Sequence, residues 1–327
     1  MTWNFLYDEG RAFLLIKKHV LVTGGLGFIG WNLVKKLLDE KYRVLILDAQ
    51  SATGTKFESD YLKNERLTIV QGDMLDSTLC DELISKVDGV FHLAASNSVS
   101  ESLKYPDKYL KDNVIGTLNL LEACRKNGIE FFIFSSSCAV YGEQEKMPIS
   151  ETATLYPKSP YAVGKQMSEC LCKLYSDVFL IPAVSLRYFN VFGPGQSDES
   201  EYSGVIAKFI KKIKNRESLT IYGDGSQTRD FVYVDNVVNA NVNVSLEIDR
   251  VSGKVINLGT GVSVSIKELA EQLLGVFGVD VDIVYEESRQ GEIESSLADV
   301  SMFLGSFNGQ EIVTCEKGLS HWLNLTD

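Results

Sequence analysis

The chain has 327 residues, 45% of them hydrophobic and 23% charged, a balance that excludes a disordered or fibrous chain and fits two domains, or one large domain with an appended lobe. Lys and Arg number 32 against 44 Asp and Glu, a net charge of −12. A chain this acidic is repelled by the phosphates of nucleic acid and by anionic membrane surfaces, so neither is expected as a partner.

Six cysteines, at 80, 124, 138, 170, 172 and 315, include no CxxC pair, and there are three histidines in all. This predicts reduced thiols, a cytoplasmic location and no structural zinc. No apolar run approaches the ~18 residues of a transmembrane helix. Residues 1–16 read as an N-terminal extension, because their short FLLI run cannot serve as a signal segment and follows Asp8 and Glu9.

In chain order, residues 18–24 (KHVLVTG) predict a first strand ending in glycines. Residues 31–40 predict a helix, with Leu33, Val34, Leu37 and Leu38 on its apolar face. Residues 43–47 (RVLIL) form a second strand ending at Asp48, and residues 67–70 a third before Gly72-Asp73. A helix over 80–85 leads to a fourth strand over 89–95 (GVFHLAA). A long amphipathic helix over 105–126 precedes a fifth strand over 131–135 (FFIFS), and a helix over 161–179 precedes a sixth over 183–188 (AVSLRY). Short all-apolar strands alternating with helices predict a parallel sheet covered on both faces, a doubly wound α/β (Rossmann) fold. After about Asn190 the rhythm breaks at Gly193, Pro194 and Gly195; a helix near 204–214 and then Gly223-Asp224-Gly225 follow. The expected division is a dinucleotide-binding domain over 17–190 and a smaller substrate lobe over 191–327, some of whose segments return to the first domain.

Three motifs carry chemistry. Thr23-Gly24-Gly25-Leu26-Gly27-Phe28-Ile29-Gly30 spaces its glycines as GxxGxxG between a strand and a helix. Such a turn lets backbone approach a pyrophosphate lying on the helix N-terminus. Asp48, at the end of the second strand, would accept hydrogen bonds from a ribose and repel a 2′-phosphate, which favours NAD over NADP. Tyr161 and Lys165 stand four apart on one helix face. An ammonium beside a phenol lowers its pKa from ~10 toward neutrality, so that Tyr161 can take a hydroxyl proton as hydride leaves the carbon. Ser137, in Ser135-Ser136-Ser137-Cys138 at the end of the fifth strand, would hydrogen-bond the same substrate oxygen; Ser135 and Ser136 read as polar caps of the strand end.

In this order the motifs resemble the extended short-chain dehydrogenase/reductase family, in particular its nucleotide-sugar epimerases and dehydratases. Supporting stretches are His92-Leu93-Ala94-Ala95, residues 187–194 (RYFNVFGP), residues 222–231 (YGDGSQTRDF) and residues 257–261 (NLGTG). The resemblance implies that Gly24, Gly27 and Gly30, with Phe28 and Ile29 between the last two, hold the NAD pyrophosphate. It implies that Asp73 and Met74 contact adenine, that Ala94 and Ala95 line the cofactor, and that Lys165 also binds the nicotinamide ribose. Asn190, Arg229 and Arg289 match positions that hold the sugar nucleotide's diphosphate, a role that suits arginine. It also implies a homodimer, through the helices over 105–126 and 161–179.

Dehydratases of this family carry an Asp-Glu pair after the active-site hydroxyl, and decarboxylases a Glu nearby. Here Cys138 and Ala139 follow Ser137, which points to hydride transfer out and back, that is, 4-epimerisation of a UDP-sugar. In UDP-hexose 4-epimerases the residue seven past the arginine matched by Arg289 walls the C2 side of the sugar. That residue is Ser296, small enough to admit an N-acetyl group, so UDP-N-acetylglucosamine and UDP-N-acetylgalactosamine are the expected pair, with UDP-glucose and UDP-galactose as further candidates. The rival readings are a uronic-acid epimerase, a keto-sugar reductase or a dehydratase, and a non-catalytic dinucleotide sensor on the same fold.

Overall fold

The structure is a computed structural model and describes residues 18–52, 59–197, 204–288, 293–307 and 311–324. The strands are β1 (His19–Thr23), β2 (Arg43–Asp48), β3 (Leu67–Gln71), β4 (Gly89–His92), β5 (Phe131–Ser137), β6 (Ala183–Tyr188), β7 (Asn190–Phe192), β8 (Leu219–Tyr222), β9 (Thr228–Arg229), β10 (Phe231–Tyr233), β11 (Val255–Leu258), β12 (Val264–Ser265), β13 (Ile283–Glu286) and β14 (Ser295–Ser296). The helices are α1 (Phe28–Asp39), α2 (Ser59–Leu62), α3 (Ser77–Ile84), α4 (Val99–Lys104), α5 (Pro106–Leu110), α6 (Gly116–Asn127), α7 (Pro160–Phe179), α8 (Val205–Lys214), α9 (Val234–Leu246), α10 (Ile248–Val251), α11 (Ile266–Phe277), α12 (Ser301–Ser306) and α13 (Cys315–Asn324).

Side chains alternate across a strand, and that alternation sorts the apolar strands into two cores. Val20 and Val22 of β1, Val44 and Ile46 of β2, and Phe131 and Ile133 of β5 enter one core, against α1 and α9. Leu21, Leu45, Leu47, Phe132 and Phe134 enter the other, against α3, α6 and α7. Every residue of these runs is therefore buried, which is why the strands read as unbroken apolar stretches. The parallel sheet has the order β3-β2-β1-β4-β5-β6-β11 among the described residues. That is the doubly wound arrangement, with its switch point between β1 and β4 and a crevice at the strands' C-terminal ends.

The first core continues into the later chain, taking in Ile206, Phe209, Leu219, Ile221, Leu269 and Leu273. That layer is built from α8, the parallel pair β8/β13, the pair β7/β10 and the strip β12-β9-β14. β11 returns to pair with β6, adding a seventh strand to the six anticipated.

Helix boundaries differ from the periodicity where caps and packing intervene. α1 starts at Phe28, directly after Gly27, before its apolar stripe begins. α3 starts at Ser77, where Asp76 accepts from the Thr78 and Leu79 amides. The single helix expected over 105–126 is α5, a π-helical turn over Lys111–Ile115, and α6. α4 was not anticipated; its Ser98 cap accepts from the Glu101 amide. Among the described residues no helix is long and apolar enough to cross a membrane, and the six cysteines are free thiols.

Candidate active site

The glycine turn is shaped by lack of space. Gly24 has φ +68°, and a Cβ there would lie 2.7 Å from the Ala94 amide nitrogen; a Cβ on Gly30 would lie 2.1 Å from the Gly24 carbonyl oxygen. Gly27 gives α1 no side-chain cap, and the first turn holds no acidic residue. Its first amides thus have no side-chain partner of their own, as a helix start that receives an anion requires. Asp48 is buried and accepts from the amides of Leu26 and Gln50, both at 2.9 Å. It thereby ties the end of β2 to the glycine turn.

A cavity of ≈ 310 Å³ opens beside this carboxylate, lined by Asp48, Asp73, Met74, Ala94 and Ala95 among others. Asp73 accepts from the Leu75 amide, and Asn119 holds the Met74 and Leu75 carbonyls. A tight glycine turn, an uncapped helix start and a carboxylate at the rim of a cavity of this size fit a dinucleotide. Asn119 was not singled out from the sequence; it lies on α6, remote in sequence from the residues it orients.

β4 is clamped to β1 by a relay. The Asn113 carbonyl accepts from the hydroxyls of Thr117 at 2.6 Å and Ser168 at 3.1 Å. With its hydrogen spent, Thr117 can only accept from His92 Nε2–H at 2.9 Å, so His92 Nδ1 accepts from Thr23 Oγ1 at 2.8 Å. Burial and the nearby Lys165 charge push His92 down to about 3, so it stays neutral. The π turn puts Asn113 in place for this, and its side chain also brackets Ser96 through both backbone groups.

Tyr161 sits in the first turn of α7, behind Pro160 and the Ser159 cap. Its phenol faces the Ser137 hydroxyl at the end of β5, which accepts from the Ala139 amide at 3.2 Å. Lys165, one turn on, is only 3% exposed and donates to the Ser135 carbonyl at 2.5 Å. Its ammonium lies 5.9 Å from the Tyr161 ring centre and 4.9 Å from that of Phe134. Burial pulls Lys165 down to about 8, against the opposing charge of Glu169. Burial also pushes Tyr161 up to about 12, opposed by the nearby Ser137 hydroxyl. The expectation that Lys165 by itself draws this phenol toward neutrality is therefore not met: desolvation dominates, and what opposes it is the Ser137 hydroxyl rather than a charge.

Behind Lys165, Glu169 pairs bidentately with Arg187 at 2.8 and 2.7 Å and accepts from Ser136 at 2.5 Å. The two side chains are 5% and 4% exposed. Extending the Tyr161–Lys165 spacing by one more turn would have found Glu169.

The second half of the site is a 580 Å³ cavity reaching from Tyr161 past Asn190 and Arg229 to α8 and β8. Asn190 Nδ2 and its own amide both donate to the Asp230 carbonyl. Arg229 donates to the Thr228 carbonyl at 2.8 Å. Asp230 is fully buried, and its carboxylate accepts from the amides of Thr260, Gly261 and Ala298 and from the Thr260 hydroxyl, at 2.7–3.2 Å. A Cβ on Gly259 would come within 2.6 Å of that carboxylate, which explains the NLGTG stretch. Ser296 is buried and pairs in register with Arg229. Burial and Asp230 hold the Cys138 thiol up at about 11. Arg289 lies outside the described residues. Among those residues, no group of three or more His, Cys, Asp or Glu is placed to hold a metal ion.

Residues 20–259 match the model of the NAD dependent epimerase/dehydratase family. The chain is similar to the solved UDP-N-acetylglucosamine 4-epimerase from Methanobrevibacter ruminantium, in complex with UDP-N-acetylmuramic acid: 39% identity, TM-score 0.87, covering 95% of this chain and 98% of that one. The UDP-glucose 4-epimerase of Mycolicibacterium smegmatis is 34% identical over 85% of this chain and 89% of its own length. The solved UDP-glucuronic acid 4-epimerase of Bacillus cereus, with NAD, is 32% identical with a TM-score of 0.84, over 94% of this chain and all of that one.

Proposed function

The chain belongs to the NAD-dependent epimerase/dehydratase family, and from that premise we propose that it catalyses the 4-epimerisation of a UDP-sugar, with UDP-N-acetylglucosamine and UDP-N-acetylgalactosamine as the favoured pair. The observation that carries this reading is that Tyr161, with the Lys165 ammonium 5.9 Å from its ring centre, lines one cavity together with Asn190 and Arg229.

When bound, NAD would supply the hydride acceptor and donor and, while oxidised, a positive charge. Tyr161 takes the proton of the sugar 4-hydroxyl and returns it on the other face, and Ser137 holds the same oxygen. Lys165, anchored on the Ser135 carbonyl, keeps its ammonium beside the ring and binds the nicotinamide ribose. The glycine turn holds the pyrophosphate and Asp48 the adenosine ribose. Asn190, Arg229 and Arg289 grip the diphosphate of the sugar nucleotide while the hexose turns over. A protonated Cys138 and Ala139 offer no acid–base pair for eliminating water, which favours epimerisation over dehydration. Ser296 is a small side chain in register with Arg229, and its size supports room for an N-acetyl group at C2.

We also propose a homodimer. Met167, Leu174 and Val178 are exposed on α7 at spacings of seven and four, one apolar stripe on a helix that packs against α4, α5 and α6. A second copy of this chain is its natural cover.

The test is mass analysis of the denatured, purified protein for retained NAD, then turnover of both UDP-sugar pairs. Retained NAD, interconversion of the acetylated pair and a Tyr161→Phe loss of ~10²–10⁴-fold are expected. Inactivity on the acetylated pair removes the Ser296 argument, and substantial Tyr161→Phe activity removes the proposed acid–base role.

A further inference from the structure

Between Lys165 and the strip that bears Ser296 runs a chain of buried side chains to which the proposed reaction gives no role. It starts at Glu169, one turn beyond Lys165 on α7, which holds Arg187 of β6 through two hydrogen bonds. The Arg187 guanidinium lies 4.6 Å from the ring centre of Tyr141. Tyr141 is fully buried and closes the helical turn Cys138–Tyr141 that follows Ser137. Its hydroxyl donates to Asn257 Oδ1 on β11 at 2.5 Å. Asn257 Nδ2 donates onward to the carbonyls of Ile149 at 2.8 Å and Asp299 at 3.2 Å. Two carbonyls can only accept, which fixes Nδ2 toward them and Oδ1 toward the Tyr141 hydroxyl.

Residues 297–299 are held from both sides. The Ile149 amide donates to the Leu297 carbonyl at 2.8 Å and the Asp299 amide to the Ile149 carbonyl at 2.9 Å. On the other side the Ala298 amide donates to the Asp230 carboxylate at 3.2 Å. Ser296 precedes this segment and Arg229 precedes Asp230, so whatever places the segment places both. Epimerisation makes a demand on that link. The hexose gives up a hydride from C4 and the proton of its 4-hydroxyl, turns over on its diphosphate, and must meet the same phenol again. The separation of Tyr161 from the wall at Ser296 and Arg229 must therefore be the same for both half-reactions. We propose that Tyr141 and Asn257 are positioning residues that hold this wall in register with Tyr161 and Lys165, so that the keto sugar is reduced on its other face and not lost. The inference rests on the epimerase reading.

The test counts failed returns in the full chain with its retained NAD. A 4-keto sugar that leaves early has lost two electrons, which stay behind as NADH, and one proton, which stays on Tyr161; the NADH is read by its absorbance. Tyr141→Phe and, separately, Asn257→Ser should raise the NADH left per sugar epimerised several-fold. Each should also raise KM for the sugar nucleotide by roughly tenfold at most, the scale of a buried hydrogen bond. With no sugar present, amide hydrogen exchange over residues 293–307 should quicken in both variants. Tyr188→Phe is the control, since its hydroxyl meets Asn241 of α9 at 3.0 Å, a buried tyrosine–asparagine contact away from the strip; it should change neither the ratio nor the exchange. Retained NAD reports that each variant is folded. Parental ratio and exchange in Tyr141→Phe overturn the proposal, as does a lower kcat with an unchanged ratio, or an equal rise in Tyr188→Phe. If the unaltered protein interconverts no UDP-sugar, the epimerase reading falls, and this inference with it.

Discussion

Glu169→Gln separates a structural role from a catalytic one. Glu169 and Arg187 are 5% and 4% exposed and joined by two hydrogen bonds. Removing the carboxylate charge leaves a guanidinium buried without its counter-ion, which costs about 3–5 kcal/mol. With an unfolding entropy of ~2.1 cal/mol/K per residue, a chain of this length loses about 4–7 °C in Tm. The same change removes the one carboxylate that holds the Lys165 pKa up against burial. Lys165 should then lose its proton at lower pH, below the present value of about 8. In the proposed mechanism the charged form assists Tyr161, so activity should fall as pH rises through that pKa, and the alkaline limb of the rate profile should move to lower pH. The assay is a pair of curves, a calorimetric melt and kcat/KM against pH between 6 and 10. The double variant Glu169→Leu with Arg187→Met, which removes both charges, should recover most of the lost Tm while leaving the alkaline limb displaced. A single variant with unchanged Tm, or a displaced limb that returns with the double variant, would refute the reasoning.

Gly30→Ala places a Cβ where the Gly24 carbonyl already stands; it should cost ~1–3 kcal/mol and strip NAD from the purified protein, read as the cofactor content of denatured samples. Asp230→Asn turns an amide toward the amides of Thr260, Gly261 and Ala298. Leaving such donors facing a donor costs ~1–3 kcal/mol, and the loosened Arg229 should raise KM for the sugar nucleotide more than it lowers kcat; an unchanged KM would contradict the positioning role. Met167→Glu with Leu174→Glu charges the exposed stripe of α7 and should halve the mass measured by light scattering while leaving the melting transition within a few degrees; a monomeric parent protein would end the homodimer proposal.

Local rules made much of this molecule readable in the chain. Strands buried on both faces must be apolar at every position, so β1, β2, β4, β5 and β6 were visible as runs. A glycine turn and a Tyr–Lys pair one helical turn apart are contained in a few residues, and so were the positions proposed for the cofactor and the proton. What could not be read depends on partners far away in sequence. Asp230 needs Thr260, Gly261 and Ala298; the π turn exists where Thr117 and Ser168 meet one carbonyl. The Tyr161 phenol is the clearest case. Its neighbour at Lys165 suggested an easily lost proton, whereas burial, a property of the packed molecule alone, carries it the other way. Spacing along the chain reveals which groups can face one another, but the dielectric around them is set by everything folded on top.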